Sequence, residues 1–357
     1  MQRDCAKNPN PTHGRRFEKF KNSTHVLLIA ELPFQVAQGN NTEMRTLRIV
    51  LILLVCSTLG SPGTVAQQDR IKLILDTDIG DDIDDAWALG FVISHPPFTP
   101  LGITITHGNT PERAKIACKL LHITSNDNIP VFIGRKTNDK VFQQYSWAED
   151  FTAKQPDKQS AADFIVQSVK LYPGEVILLA VGPLQNIADA LRKEPNLGKY
   201  VRRVVLMSGC VYGTSSNPGT PVREWNVYQS IADAQLVYAA GLPLTIVPLD
   251  STTHVRLSDE ERKRVASHGS ALSYALECLY RLWLSSPTDR MTLHDQLAVA
   301  EAAAPGRFFH KQEALPLIVD DQGYTRIDRN RGKAVTVCLE PKRDDFMKYY
   351  LDELTSH

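Results

Sequence analysis

The chain has no surplus of charge of either sign, since its 40 lysines and arginines equal its 40 aspartates and glutamates. That balance argues against a strongly basic nucleic-acid surface and equally against an acidic tail. Long apolar runs are also missing: the most membrane-like stretch, Ile49–Leu59, falls well short of the roughly 20 residues that span a bilayer. No internal repeat, low-complexity segment or shift in composition marks a second catalytic domain. Cysteine is scarce, and Cys118, Cys210, Cys278 and Cys338 form no CxxC pair. Disulfides and simple burial both remain open for them. What is present, 43% hydrophobic and 22% charged residues in a chain of 357, is the make-up of a globular protein long enough for a sizeable core.

The first part of the chain differs from the rest. Residues 1–43 are polar and aperiodic, and are read as a non-native or disordered extension. From Met44 the order is basic (Arg45, Arg48), apolar (Ile49–Leu59) and small (through Thr64-Val65-Ala66), which predicts a signal peptide over residues 44–66 and a start at Met44. Export to the periplasm or the extracellular space follows, with no stable membrane association after cleavage. Cys56 offers lipoprotein anchoring as a minor alternative, but Val55 is a poor residue to precede it.

Residues 67–357 are expected to be the catalytic domain. Nearly continuous apolar runs at 71–75, 101–106, 175–181, 201–207 and 244–249 predict strands buried on both faces. Segments of helical period separate them at 84–94, 111–123, 161–171, 184–193, 230–240 and 258–284. The alternation predicts an α/β fold, a Rossmann-like open sheet, mainly parallel, flanked by helices on both faces. Residues 315–319, 324–327 and 334–339 predict a small antiparallel addition near the C-terminus. In such a sheet ligands bind beyond the carboxyl ends of the strands. The loops to compare are therefore the one after the first strand, Thr106-His107-Gly108-Asn109, and Val181–Asn186.

The first of these loops reads DTDIGDDIDD and places six aspartates between Asp76 and Asp85. Six carboxylates on one loop repel one another unless a cation or a set of donors compensates. Helix capping and solvated turn charge would account for two of them, and a metal site accounts better for all six. Oxygen ligands alone point to a hard cation, Ca²⁺ or Mg²⁺, and the spacing is not that of an EF-hand. Asp295, after His294 and before an apolar helical segment, is a further acidic candidate.

Asp76–Ala86, Gly108-Asn109, Val181–Ala188, Val204–Gly209, Glu224–Val227 and His294-Asp295 resemble, in order and approximate spacing, the calcium-dependent nucleoside hydrolases of the inosine-uridine preferring type. The resemblance runs from about residue 71 to residue 305. It implies an enzyme that cleaves the N-glycosidic bond of ribonucleosides, or of a related N-ribosyl compound, using water activated by Ca²⁺. It further implies Asp78, Asp85, Asp295 and the Val181 carbonyl as metal ligands, with Asp78 also the general base. Asp84, Asn109, Glu224 and Asn226 would hydrogen-bond the ribose, Asn217 would approach its 5′-hydroxyl, Trp225 would touch substrate, and His294 would protonate the departing base. Members of the family commonly associate, although these residues reveal no interface.

Several departures accompany the match. Asp81-Asp82-Ile83 lengthens the usual loop by two residues, so Asp82 competes with Asp84 and Asp85 for their roles. Residues 145–150 lack the usual histidine, the segment from Asn217 to Glu224 is one residue too long, and Trp225 replaces phenylalanine. Two alternatives stand beside the hydrolase: a non-catalytic ribose- or Ca²⁺-binding protein of the same fold, and a haloacid dehalogenase-type phosphohydrolase.

Overall fold

β-branched and aliphatic runs build the centre of the molecule because every second side chain meets a different layer. In the computed structural model, which describes residues 70–95, 97–285 and 290–356, Leu73 and Leu75 enter one apolar core while Ile74 enters the other. Ile177 and Leu179 likewise face the first core, and Leu178 and Ala180 the second. Strands covered on both faces have no polar alternation to display, hence their near-continuous hydrophobicity. The extension at residues 1–43 and the signal segment at 44–66 lie outside the described residues.

The strands are β1 (Ile71–Thr77), β2 (Phe98–Ile105), β3 (Val131–Ile133), β4 (Asp157–Ser160), β5 (Ile177–Ala180), β6 (Arg203–Met207), β7 (Gly213–Thr214), β8 (Asn217–Pro218), β9 (Leu244–Val247), β10 (Phe309–Val319), β11 (Thr325–Ile327) and β12 (Lys333–Pro341). Ten of them form one sheet in the order β11-β10-β12-β9-β6-β5-β1-β2-β3-β4, and β7 and β8 form a separate hairpin. Pairing is parallel from β4 through to β12, then antiparallel across β10 and β11. β1 pairs with β2 on one side and β5 on the other, so the winding direction reverses between β1 and β5. That reversal opens a crevice at the carboxyl ends of these two strands.

Helices Asp84–Ser94 (α1), Thr110–Ile123 (α2), Ala271–Trp283 (α3) and His294–Ala303 (α4) pack against the first face, and Ala161–Leu171 and Gln185–Lys193 against the second. The single helix expected over 258–284 is two. Asp259–Ala266 ends before Gly269, whose φ of +80° breaks the path, and Ser270 caps α3 by accepting from the Ser273 amide at 3.1 Å. The short strand β3, the polar edge strand β4 and the terminal helix Arg343–Leu354 were not expected. The antiparallel addition is confirmed, and β12 joins it to the main sheet by running parallel to β9. Cys118, Cys210, Cys278 and Cys338 are all buried free thiols, so burial is their role.

Candidate active site

The aspartate loop leaves β1 at the reversal point and enters α1 directly, so Asp84 and Asp85 stand at the positive end of a helix dipole. Asp76, still on β1, is fully buried under the loop and accepts hydrogen bonds from Thr104 Oγ1 (2.6 Å) and Asn186 Nδ2 (2.7 Å). It thereby ties β1 to β2 and to the segment after β5, as a loop support should. Burial pushes its carboxyl up to about 7. Gly182 lets the β5 loop come close: a Cβ there would lie 2.7 Å from Asp78 Oδ1 and 2.9 Å from the Asp78 amide. Gly80 turns the loop with a φ of +116° against the Tyr145 ring.

Over this crevice lies a cavity of about 490 Å³ lined by Asp78, Asp81, Asp82, Asp84, Asp85, Glu224 and Asp295, with Val181, Met207, Arg223, Trp225, Asn226, Leu249, Trp283 and His294. One carboxylate oxygen from each of Asp84, Asp85 and Asp295 lies within 4.8 Å of the other two, and all three residues are buried. Burial first, and then their neighbouring carboxylates, push Asp84, Asp85 and Asp295 well above the usual carboxylate range. Asp85 accepts from Thr77 Oγ1. Such a set of buried oxygen donors, short of hydrogen-bond donors, suits a hard divalent cation and does not suit a soft one.

The expected set named Asp78 with Asp85 and Asp295; the converging trio has Asp84 in the place of Asp78. Asp78 lines the same cavity and stands beside Arg113. This arginine, 1% exposed on α2, lies 3.8 Å from Asp78 Oδ2 and donates to the Ile79 carbonyl at 3.2 Å. Burial nonetheless raises the Asp78 carboxyl to about 6, with Arg113 opposing the shift. The Val181 carbonyl faces the cavity but accepts from Asn226 Nδ2 at 2.8 Å. Asp82 turns its Oδ1 to its own Ile83 amide (2.7 Å), and Gln144 Nε2 donates to the carbonyls of Asp81 and Asp82 at 3.0 Å each. The two-residue extension is therefore braced by the very segment that lacks the expected histidine.

On the far wall, Glu224 accepts from the amides of Asn226 (2.7 Å), Val227 (3.0 Å) and Gly209 (3.1 Å). Burial raises its carboxyl to about 7 despite these bonds. Trp225 is 53% exposed at the cavity mouth. His294 Nδ1 lies 2.7 Å from Thr252 Oγ1, and burial, aided by Arg256, lowers the ring to about 4. Burial thus favours the neutral imidazole in the ion-free protein.

Two expected residues stand apart from the cavity lining. Asn109 is buried at the start of α2, where its carbonyl accepts from the Glu112 and Arg113 amides at 3.1 Å each. Asn217 is exposed in the β7-β8 hairpin, its segment being one residue too long to follow the expected path. Arg113, Gln144, Arg223 and Gln296 were not anticipated. Gln296 Nε2 donates to the Asp84 carbonyl at 2.7 Å, locking α4 to the loop. Arg113 carried a legible signal, a charge amid the apolar face Ala114, Ile116, Ala117 and Leu120; the others carried none.

Comparison with known proteins agrees with this geometry. A family model described as inosine-uridine preferring nucleoside hydrolase matches residues 73–348. The pyrimidine-specific ribonucleoside hydrolase RihB of Escherichia coli is 32% identical over 297 residues, 76% of this chain and 88% of that one. Uridine nucleosidase 1 of Arabidopsis thaliana is 28% identical over 263 residues, 68% of this chain and 76% of that protein. Among solved structures, the purine-preferring ribonucleoside hydrolase of Gardnerella vaginalis superposes with a TM-score of 0.70 at 25% identity, covering 80% of this chain and 98% of that one. A plant nucleoside hydrolase superposes at 0.71 and 22% identity, covering 80% and 99%, and shares the fold. The phosphohydrolase alternative is set aside.

Proposed function

We propose, given that the chain belongs to the inosine-uridine preferring nucleoside hydrolase family and is an N-ribosyl hydrolase, that it cleaves ribonucleosides to free base and ribose with Ca²⁺ as its ion and Asp78 as its general base. The observation that carries this is the meeting of three buried carboxylates within 4.8 Å of one another in a cavity that also holds Asp78 and His294. Asp85 and Asp295 belong both to the expected ligand set and to the converging trio, and Asp84 and the Val181 carbonyl stand beside them. A bound Ca²⁺ would supply a Lewis acid that acidifies water and gathers ribose hydroxyls.

The remaining chemistry belongs to side chains. Asp78, ionised at neutral pH beside Arg113, accepts the proton of the attacking water, and Arg113 holds that carboxylate in one orientation. Glu224 and Asn226 fix the sugar through hydroxyls, Glu224 being held rigid by three backbone amides. Positive charge develops on the ribose as the bond breaks, and the acidic lining stabilises it. With Nδ1 engaged by Thr252, His294 can present Nε2–H to the departing base, and Trp225 covers the mouth.

The test is hydrolysis of a nucleoside panel and of nitrophenyl riboside by purified protein, with chelator and after Ca²⁺ is restored. Activity that survives both chelation and Asp78→Asn would overturn the ion and base assignments together.

A further inference from the structure

We infer that the single helical turn after β9, Leu249–Thr252, aligns the two halves of this site, Asp250 being the positioning residue for the wall that carries Glu224 and Thr252 the one for His294; the inference deepens the hydrolase reading above and rests on it. Of the turn's four residues, Leu249 alone lines the cavity. The side chains of the other three are each committed elsewhere in the fold. Ser251, fully buried, donates to the Cys338 carbonyl on β12 at 2.7 Å, which fastens the turn to the sheet. Asp250 reaches toward the sugar wall. Its Oδ2 accepts from the Val211 amide at 2.8 Å, and its Oδ1 from the Tyr212 and Gly213 amides at 2.5 and 3.2 Å. A carboxylate that grips three successive amides makes charge-assisted bonds and fixes the path of the chain leaving β6. The same stretch carries Gly209, whose carbonyl accepts from the Leu249 amide at 2.9 Å and whose own amide donates to Glu224 Oε2 at 3.1 Å.

Thr252 reaches the other way. Fully buried, it places Oγ1 2.7 Å from His294 Nδ1, so Nε2 is the ring nitrogen left to the cavity that His294 lines. The backbone repeats the arrangement. The Leu293 amide donates to the Val255 carbonyl at 2.8 Å and the Leu257 amide to the Met291 carbonyl at 2.9 Å, fastening the segment that enters His294 to the segment that leaves the turn. A misplacement of about 1 Å in a reacting group can cost about 100-fold in rate, so Asp250 and Thr252 bear on the chemistry without lining the cavity. Their effects differ in kind. Every N-riboside presents the same sugar, and a displaced Glu224 weakens all of them alike. A displaced His294 harms only a leaving group that needs a proton.

The experiment measures kcat and KM for uridine, inosine and nitrophenyl riboside with the Ca²⁺-loaded protein and its Asp250→Asn, Thr252→Val and Thr252→Ser variants. Asparagine sets an amide donor against backbone donors, and valine keeps the shape of threonine without its hydroxyl. Asp250→Asn should raise KM about 10-fold, equally on all three substrates. Thr252→Val should lower kcat about 10- to 100-fold on uridine and inosine but less than about threefold on nitrophenyl riboside, and Thr252→Ser, which keeps the hydroxyl, should recover most of the loss. Asp250→Glu and Thr252→Ala are read by the same criteria wherever the first variant does not fold. Equal kcat losses on all three substrates in Thr252→Val, no recovery in Thr252→Ser, or a KM in Asp250→Asn within about twofold of the unaltered protein overturns the positioning roles and leaves the hydrolase reading standing. An unaltered protein that cleaves none of the three substrates overturns both.

Discussion

Removing the divalent cation should make the protein's stability depend on pH in a direction set by the carboxylates at its site. Burial raises Asp78 from 3.8 to about 6, and burial and mutual repulsion also raise Asp84, Asp85 and Asp295 well above the usual carboxylate range. A carboxyl raised on folding binds more protons in the native than in the unfolded state, between its unfolded and folded values. Native stability in the ion-free protein is therefore lost as pH rises through that window and retained below it. For Asp78 alone the rise from 3.8 to about 6 corresponds to about 3 kcal/mol at neutral pH. A bound divalent cation replaces those protons, and at a hundred times its Kd contributes about 2.7 kcal/mol.

Thermal melts from pH 5 to pH 8, with excess Ca²⁺ or with chelator, test this. The gap between loaded and chelated Tm should widen as pH rises through about 6. At roughly 2–4 °C per kcal/mol it should grow by about 6–12 °C. Taking the gap removes the groups that titrate in both forms: Asp76 and Glu224, also raised, and His95 and His107, lowered by burial, whose stabilisation is lost as pH falls below 6.5. A gap that is flat across this range, or wider in acid, refutes the claim that these carboxylates hold the ion.

Three other outcomes are expected. His294→Ala should lose about 10²- to 10⁴-fold in kcat on natural nucleosides and far less on nitrophenyl riboside, whose leaving group needs no help; equal losses on both would remove His294 from the base. Gly182→Ala puts a Cβ 2.7 Å from Asp78 Oδ1 and 2.9 Å from its amide, so urea unfolding should show a loss of about 1–3 kcal/mol together with weakened Ca²⁺ binding. Protein recovered from the exporting cell should begin at Gln67 when its intact mass is measured, and retention of residues 44–66 would contradict signal cleavage.

The strands and most helices were legible because burial on both faces leaves a continuous apolar run, and a covered helix leaves a period near 3.6. Where hydrophobic signal was short or missing, legibility failed: β3 has three residues, and β4, Asp157–Ser160, carries no apolar side chain. The break at Gly269 lay inside a long helical pattern and was marked only by one glycine between two serine caps. Within the site, Asp78, Asp84, Asp85, Val181, Glu224, Asn226, Trp225, His294 and Asp295, singled out because their spacing carries the family's order, line one cavity. Asn109, at the start of α2, and Asn217, in the β7-β8 hairpin, matched by position in the chain but are not among the residues that line the cavity.

Composition and order alone thus determined an acidic loop at a strand end in a parallel α/β sheet, since both follow from local pattern and from the rule that such sheets bind ligands where winding reverses. Tertiary structure alone decided which carboxylates converge. The loop that carries Asp78 and Asp84 is held by Arg113, Gln144 and Gln296, which reach it from α2, from residues 143–147 and from α4. Those contacts span 34, 63 and 212 positions of sequence, and local spacing holds no record of them because Coulombic and hydrogen-bond forces act through space.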